Sequence, residues 1–474
     1  MFSHINFWVV TGYAFSVSGF VMAAILFSNM RSSPTNPGTT VAWLLGMIFL
    51  PVVTVPLYLV IGGARLRKTK KRKARLTFNA QLTVPNPPDN AGTMDALFAL
   101  KDAPPATGGN HVETLFDGVQ VYERLMALID GATESISFTT FILSKDDVAK
   151  AFVDALARRA KEGIKVKLLV DALGSFWSKG SFLDPLREAG GEVADFMPIL
   201  PTRRKAAANF RMHRKMYIFD EKEAIIGGKN ISREYMGPTP EASRWVDSSL
   251  YLRGPAMCNL VEIFAQDWAF ATGASQKDVA RCADMTKYQP QGDVSVQTVA
   301  SGPDADNEPF YDVMLTALLN CKQRVWVVTP YFVPDETILK MLCILAKLGR
   351  DVRLVVPKSS DAKLPDLARR YPMRELFRAG GKIFLYTPTV LHAKLLLIDD
   401  DLVTIGSPNM DMRSFYLNFE LALFIYEPNV VNDVEKFVEG LMPDSFPYTR
   451  YHGRVRGIIT EAMENFARIL SPLI

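Results

Sequence analysis

The strongest constraint on this chain is a residue pattern that occurs twice, about 180 residues apart. Each copy has histidine, lysine, aspartate, a glycine-led pair and asparagine at the same offsets: His213, Lys215, Asp220, Gly227, Gly228 and Asn230, then His392, Lys394, Asp399, Gly406, Ser407 and Asn409. Because the repeated unit is far longer than a solenoid repeat, the pattern predicts a duplicated domain.

The segments before each pattern also repeat, as a strand, a helix and a second strand. The predicted elements are Ser135–Leu143, Val148–Glu162 and Val166–Val170, then Val325–Val333, Glu336–Leu348 and Val352–Val356. Such alternation is typical of α/β domains. We therefore predict two duplicated α/β/α sandwich domains, residues 111–288 and 289–474, in a pseudo-twofold arrangement that brings equivalent sites together at their interface.

Two uncharged, apolar stretches precede the repeats, at Phe7–Phe27 and Val41–Ile61. Each has about the 20 residues that a helix needs to cross a bilayer, so residues 1–62 are predicted to form a transmembrane hairpin. The alternative for the second stretch is a buried globular helix.

A cluster of cations follows the second stretch, within residues 63–110, which we interpret as a basic juxtamembrane segment and linker: Arg65, Arg67, Lys68, Lys70, Lys71, Arg72, Lys73 and Arg75. The positive-inside rule places such a cluster on the cytoplasmic side. We therefore expect a multi-pass membrane protein whose repeated domains are cytoplasmic. The net charge of +4 is too small to indicate a nucleic-acid partner.

Four apolar residues follow each patterned lysine, which predicts a buried strand. Residues two apart on a strand share a face, whereas residues seven apart point to opposite faces. His213 and Lys215 are therefore predicted to point into a site, and Asp220 away from it. The same reasoning assigns His392 and Lys394 to the site and Asp399 to the scaffold.

The hairpin register follows if each strand turns over two residues. A turn at Glu221-Lys222 would pair Asp220 with Glu223 and His213 with Asn230. A turn at Asp400-Asp401 would likewise pair His392 with Asn409. Both copies would then deliver an amide across the hairpin to the histidine and lysine.

Two histidines, two lysines and two asparagines suit the transfer of a phosphodiester. Lysine and asparagine can stabilise the extra negative charge on phosphorus-bound oxygens. One neutral histidine can attack phosphorus while the other donates a proton to the leaving oxygen. Asp247 and Glu420, which follow the first and second pattern, are candidates to orient the imidazoles; ordinary salt bridges are the alternative. No metal or other cofactor is expected.

The two segments match the HxK(x)4D(x)6G(G/S)xN signature of the phospholipase D superfamily. Within it the chain resembles bacterial cardiolipin synthases, through its two-span start and several phrases: Ala42-Trp-Leu-Leu45, Leu169-Val-Asp-Ala-Leu-Gly-Ser175, Thr329-Pro-Tyr-Phe-Val-Pro334, Asn409-Met-Asp-Met-Arg-Ser414 and Ser471-Pro-Leu-Ile474. The resemblance implies two phospholipase D-type domains and a location in the bacterial inner membrane.

The resemblance also implies the reaction, in which two phosphatidylglycerol molecules give cardiolipin and glycerol through a phosphohistidine. It implies these signature residues as the catalytic set: His213, Lys215, Asp220, His392, Lys394 and Asp399. Substrate binding is expected from Gly228, Asn230, Ser407 and Asn409. The nucleophile would be His213, although the spacing alone leaves the two histidines equivalent. A hydrolase, another phosphatidyltransferase, a nuclease and an inactive membrane scaffold are the rival interpretations.

The C-terminal segment carries an apolar stripe at helical spacing: Val455, Ile458, Ile459, Ala462, Met463, Phe466, Ile469, Leu470 and Leu473. It predicts a helix that either packs on the second domain or lies on lipid.

Overall fold

The computed structural model describes ten parts of the chain: residues 7–28, 37–52, 54–55, 73, 104–178, 180–198, 210–274, 287–305, 308–449 and 457–469. Most of the basic cluster, the linker before residue 104 and part of the second apolar stretch lie outside the described residues. The chain divides into an N-terminal unit up to Arg72 and a large unit that begins at Lys73.

The N-terminal unit contains two helices, α1 (Phe7–Ser28) and α2 (Pro37–Phe49). They pack closely, since a Cβ on Gly19 would lie 2.3 Å from the Met47 carbonyl oxygen. Ala23, Met47 and Val55 are buried between them. Among the residues that the structure describes, none of the helices combines the length and apolar character needed to span a membrane.

The large unit is built around one sheet, to which fifteen of its described strands belong. The strands of the first repeat are β1 (Thr107–Leu115), β2 (Ser135–Thr140), β3 (Lys165–Asp171), β4 (Glu192–Phe196), β5 (Met216–Phe219), β6 (Glu223–Gly227) and β7 (Ser249–Arg253). Those of the second are β8 (Val294–Ser301), β9 (Arg324–Val328), β10 (Phe332–Val333), β11 (Asp351–Pro357), β12 (Lys382–Tyr386), β13 (Leu395–Ile398), β14 (Leu402–Gly406), β15 (Met410–Asp411), β16 (Glu420–Ile425) and β17 (Ser445–Pro447). Strands β10 and β15 pair with each other outside the main sheet.

The strand order of the main sheet indicates duplication, because equivalent strands follow the same order in both halves. It runs β4-β3-β2-β5-β6-β7-β1 in the first repeat and continues β8-β16-β14-β13-β9-β11-β12 in the second, with β17 at the far edge. The two halves meet where β1 and β8 pair antiparallel. In the first half, β2 and β3 are parallel, and β5 of the motif hairpin pairs antiparallel with β2. In the second half, β9 and β11 are parallel, and β13 of the motif hairpin pairs antiparallel with β9. The predicted α/β duplication is confirmed.

Helices cover the sheet in both halves. The first half has α3 (Gly118–Gly131), α4 (Asp147–Lys161), α5 (Asp184–Glu188) and α6 (Met257–Thr272). The second has α7 (Pro309–Asn320), α8 (Glu336–Lys347), α9 (Lys363–Ala368), α10 (Arg370–Arg378), α11 (Met412–Tyr416), α12 (Pro428–Leu441) and α13 (Gly457–Ile469). Carboxylates cap equivalent helices, because Asp146 accepts from Ala149 N before α4 and Asp335 from Ile338 N before α8.

The core of each half lies between its helices and its part of the sheet. In the first half Phe138 of β2 packs with Phe152 of α4 and Tyr217 of β5. In the second half Val327 of β9 and Leu342 of α8 belong to the equivalent core. The apolar runs that predicted buried strands therefore follow from burial on both faces of the sheet.

The predicted hairpin register is wrong by one residue in both copies. Phe219 pairs with Glu223, and Ile398 pairs with Leu402, so three residues form each turn rather than two. The reason lies in the aspartates: Asp220 and Asp399 both have φ of +50° and have left the strand. Aspartate tolerates this left-handed conformation better than most residues, and the conformation frees each carboxylate for the contacts described below.

Candidate active site

Short bridges between the two halves carry the patterned histidines into one site. Met212 bridges to Phe419, and the His213 amide donates to the Phe419 carbonyl at 2.9 Å. Val246 bridges to Leu391, and the His392 amide donates to the Val246 carbonyl at 2.7 Å. Each histidine segment therefore lies beside the segment of the other half that carries an acidic residue. The predicted pairing of each histidine with its asparagine across the hairpin is not observed.

Each patterned histidine is paired with a carboxylate from the other half. Glu420 of the second half lies with Oε2 2.9 Å from Nδ1 of His213. Asp247 of the first half lies with Oδ2 2.6 Å from Nδ1 of His392. Both carboxylates are completely buried and both imidazoles are nearly so. An Nδ1–H that donates to the carboxylate leaves the Nε2 lone pair of each ring for chemistry.

Burial sets the protonation of these pairs. Desolvation lowers the pKa of His213 to about 4, against the opposing charge of Glu420. Desolvation and the Lys394 ammonium lower the pKa of His392 to about 4. For the partners, desolvation acts to raise the pKa, but the neighbouring lysines and the charge and hydrogen bonds of the histidines outweigh it and bring the pKa of both Glu420 and Asp247 to about 2. Each imidazole therefore lies beside a carboxylate that is ionised at neutral pH.

The two lysines approach the histidines from within their own motifs. Lys215 donates to the carbonyl of His213 at 2.7 Å, and its ammonium lies over the Phe141 ring, on which the His213 ring also packs. Lys394 contacts the carbonyl and ring of His392 and lies 3.6 Å from Asp247. Desolvation lowers the pKa of Lys215 to about 7 and lowers that of Lys394 as well. Each lysine is therefore a cation that an anionic ligand would stabilise.

The surroundings of the two imidazoles differ at Nε2. Nε2 of His392 lies 3.4 Å from the Tyr235 hydroxyl, and the rings of Tyr235 and Trp245 pack on it. The His213 ring packs on Phe141 at 5.3 Å, and no side chain in the described parts of the chain forms a hydrogen bond to its Nε2. Tyr235 carried no signal in the spacing of the motif.

The patterned aspartates lie away from the histidines, as strand parity predicted. Asp220 accepts hydrogen bonds from the amides of Thr133, Glu134 and Ser135, at the start of β2. Asp399 accepts from the equivalent amides of Lys322, Gln323 and Arg324, at the start of β9. Each carboxylate thus ties the motif hairpin to the start of the antiparallel strand beside it, β2 or β9, which is a scaffolding contact.

Gly228 and Ser407, which occupy the same position in the two motifs, both lie against a buried carboxylate. Ser407 Oγ donates to Glu420 Oε2 at 2.5 Å. At the equivalent Gly228, a Cβ would lie 2.2 Å from Asp247 Oδ1, so only glycine leaves room for that carboxylate. Substrate contact was predicted for both residues, whereas the geometry gives them carboxylate contacts, because a carboxylate from the other part of each repeat occupies the space beside them.

The patterned asparagines occupy unlike surroundings. Asn230 accepts from the Ile142 amide at 3.1 Å and donates to the Tyr235 hydroxyl at 3.1 Å. Asn409 lines a small cavity with Lys394 and Thr329, and its buried Oδ1 has no hydrogen-bond partner among the described residues. Asn409 is therefore the amide of the pair that retains a polar atom for a ligand.

A buried cluster of four charges lies behind His213, and sequence reasoning did not identify it. Arg214 donates to both oxygens of Asp267 at 2.7 Å and lies 3.3 Å from Asp304. Lys73 contacts the same two carboxylates, 2.6 Å from Asp304. Arg214 also donates from Nε to the Glu420 carbonyl at 3.0 Å. The available signal was the middle residue of the motif, which is arginine in the first copy and Ala393 in the second.

Comparisons with known proteins agree with this geometry. Residues 125–268 and 314–442 match the family described as cardiolipin synthase, PLD-like domain. Residues 20–63 match the phospholipase D-nuclease N-terminal family.

Curated relatives match over the whole length. The chain is 32% identical to cardiolipin synthase 1 of Bacillus anthracis, with 100% of this chain and 95% of the relative covered. It is 33% identical to cardiolipin synthase 2 of Bacillus cereus, with 97% and 91% covered.

A solved structure shares the fold. The crystal structure of a phosphatidylserine synthase from Haemophilus influenzae aligns with a TM-score of 0.59 at 16% identity, covering 87% of this chain and 100% of that one. The two matched repeats, with one histidine motif in each, and the full-length relatives together show that this chain belongs to the cardiolipin synthase family of PLD-like enzymes.

Proposed function

We propose that the chain is a cardiolipin synthase that transfers a phosphatidyl group from one phosphatidylglycerol to another through a phosphohistidine. The observation that carries this proposal is the pair of imidazoles, each held at Nδ1 by a buried carboxylate of the other repeat. A symmetric pair of this kind suits two successive displacements at one phosphorus, because each imidazole presents Nε2 to the same site.

In the first displacement, Nε2 of His213 attacks phosphorus. The phosphorus–oxygen bond to the glycerol headgroup breaks, and His392 gives a proton to the departing glycerol oxygen. Glu420 stabilises the cationic ring of His213 as the phosphorus–nitrogen bond forms. The assignment of His213 as nucleophile is supported by its unencumbered Nε2, whereas that of His392 faces a hydroxyl group.

In the second displacement, a hydroxyl group of another phosphatidylglycerol attacks the phosphohistidine. His392 now accepts the proton of that hydroxyl, and the phosphorus–nitrogen bond breaks to regenerate His213. One phosphodiester replaces another, so atoms balance without a nucleotide or an oxidant.

Positive charge supports both displacements. Lys215 and Lys394 provide ammonium groups for the oxygens on phosphorus. A bound phosphodiester anion favours the cationic forms of Lys215, Lys394 and His392, because its negative charge offsets the desolvation that lowers their pKa. Substrate binding thereby prepares the proton donor.

The N-terminal unit suits a membrane substrate, and we propose that its two apolar stretches cross the inner membrane with the repeats on the cytoplasmic side. The support is the cation cluster after the second stretch and the match of residues 20–63 to an N-terminal family. A periplasmic reporter enzyme fused at the C-terminus should be inactive. Strong reporter activity would reverse the orientation.

The reaction is tested with the purified full-length chain and labelled phosphatidylglycerol, with lipid products identified by mass spectrometry. Cardiolipin and glycerol in equal amounts are expected. Phosphatidic acid as the main product would instead indicate a hydrolase that uses the same residues with water as acceptor. A His213→Ala protein provides the control for contaminating activity.

A further inference from the structure

The loop after β3 exposes three neighbouring apolar side chains. Leu173 and Phe176 are each 50% exposed, and Trp177 is 82% exposed. The indole ring of Trp177 contacts only the edge of Phe176 among the aromatic pairs of the described residues. A contiguous apolar patch of this kind on a folded surface marks a contact site.

The loop is fixed against the proposed nucleophile. Asp171 accepts from the amides of Leu173 at 2.8 Å and Gly174 at 3.1 Å, and its other oxygen accepts from Met212, directly before His213, at 2.9 Å. Ser175 donates to the carbonyl of Phe141, whose ring packs on His213. The loop that carries the exposed side chains is therefore hydrogen-bonded to the segments that position His213.

The second half has a different apolar surface at the equivalent edge. There the loop after β11 leads into α9, and α13 packs on it: Ala467 is buried with Val333 and Ala368. Glu464 of α13 binds Arg374 at 2.6 Å. The predicted C-terminal helix is therefore anchored to the second domain, yet Met463 and Phe466 on it are 55% and 61% exposed.

We infer that the loop of residues 172–178 and the outer face of α13 form a lipid-facing rim that rests in the boundary region of a phospholipid bilayer. This inference rests on the proposed function, since it concerns how a phosphatidylglycerol headgroup reaches His213. Both surfaces lie at the edge where the parallel strands of their half end, which is the edge that carries the catalytic side chains. Exposed tryptophan and phenylalanine side chains suit the membrane interface, and the acyl chains can stay in the bilayer during reaction.

The rim is tested with the full-length chain on two forms of substrate. One is long-chain phosphatidylglycerol in phosphatidylcholine vesicles, and the other is dihexanoyl phosphatidylglycerol below its micelle concentration. Trp177→Ala should lower kcat/KM on vesicles on the order of tenfold, because an apolar anchor to the interface is lost, and should leave activity on the dissolved substrate unchanged. Trp177→Phe should retain most activity on vesicles.

The matched control is Leu348→Ala, which removes a side chain that is 67% exposed just before β11, at the opposite edge of the strands. It should behave as the unchanged protein on both substrates. Equal losses for Trp177→Ala and Leu348→Ala, or equal losses for Trp177→Ala on both substrates, would overturn the rim. Loss of a dimer in Trp177→Ala, measured by light scattering, would assign the loop to a second copy of the chain instead.

A second measurement is independent of turnover. Brominated phospholipid should quench the tryptophan fluorescence of the unchanged protein by a larger amount than that of Trp177→Phe, because Trp8 and Trp43 of the two apolar stretches are present in both proteins and only residue 177 differs. The same quenching in both proteins would overturn the rim. If the unchanged protein makes no cardiolipin from either substrate, the proposed function fails, while the quenching still decides whether residue 177 contacts lipid.

Discussion

The two halves of the site have the same parts in different surroundings. His213 is supported by Glu420, Ser407 and a buried cluster that includes Arg214. His392 is supported by Asp247, which lies against Gly228, and has Ala393 where the first motif has Arg214. The duplication therefore supplied two equivalent imidazole–carboxylate pairs, and later differences around them distinguish one half from the other. The differences favour separate roles for the histidines.

The largest effects are expected from removing each histidine, which tests whether the two residues have separate roles. His213→Ala should abolish cardiolipin formation, because no nucleophile remains. His392→Ala should slow both displacements, since general acid–base catalysis typically contributes about 10²–10⁴-fold. Rapid quench with labelled substrate, kept free of acid because phosphohistidine is acid-labile, should leave label on a peptide that contains His213. Label on His392 instead would exchange the roles.

Removing the exchanged carboxylates should cost nearly as much. Glu420→Gln and Asp247→Asn keep the shape but remove the charge that stabilises each imidazolium, and we expect roughly 10²-fold or greater losses of kcat. Glu420→Gln should impair label incorporation at His213 more than Asp247→Asn does. Equal amounts of trapped intermediate in both variants would show that the crosswise pairs do not have separate roles.

The buried cluster is expected to affect stability most. Arg214→Ala leaves Asp267 and Asp304 with one buried cation between them, Lys73, and breaking a buried charge pair costs about 3–5 kcal/mol. Urea unfolding measures this change. The Arg378→Ala protein is the control, because the exposed pair of Arg378 and Glu375 in the second half should contribute far less. A stable Arg214→Ala protein would mean that the cluster is not what distinguishes the first half.

The pH dependence of kcat/KM is expected to reflect the protonation of Lys215. Because the pKa of Lys215 is about 7, its ammonium is charged below that pH and is lost as the pH rises through it. We therefore expect kcat/KM to fall on the alkaline side near pH 7. Lys215→Arg should move this limb upward, since arginine stays charged. A fall in kcat/KM that keeps its position in an active Lys215→Arg protein would assign it to Lys394, whose pKa burial also lowers.

The smallest expected effect concerns the scaffolding aspartates. Asp220→Asn and Asp399→Asn each weaken three contacts with backbone amides, and lost hydrogen bonds of this kind cost about 1–3 kcal/mol. Both variants should unfold at lower urea concentrations and yet retain the activity of the folded protein. An Asp220→Asn protein that is as stable as the original but inactive would contradict the scaffolding role.

Much of the site could be predicted from local pattern. The spacing of histidine and lysine predicted that their side chains would lie on the same side, and both approach the ring of Phe141, although the two residues lie just before β5 and not within it. Asp220 does lie away from the site, but it follows the end of β5 in a left-handed conformation, so the turn decides where its carboxylate lies. The register failed by one residue because the turn depends on a left-handed conformation at Asp220 and Asp399, which is set by amides on another strand.

The contacts between distant segments could not be predicted from the sequence. His213 and Glu420 are separated by 207 positions, and Arg214 and Asp267 by 53. No periodicity carries that information, since a strand pattern specifies which face a side chain occupies and not which segment packs against it. The two copies of the motif can be identified in the sequence without a structure. That each histidine takes its carboxylate from the other copy depends on how the halves pack across β1 and β8. The bridges of Met212 to Phe419 and of Val246 to Leu391 place each histidine beside that carboxylate.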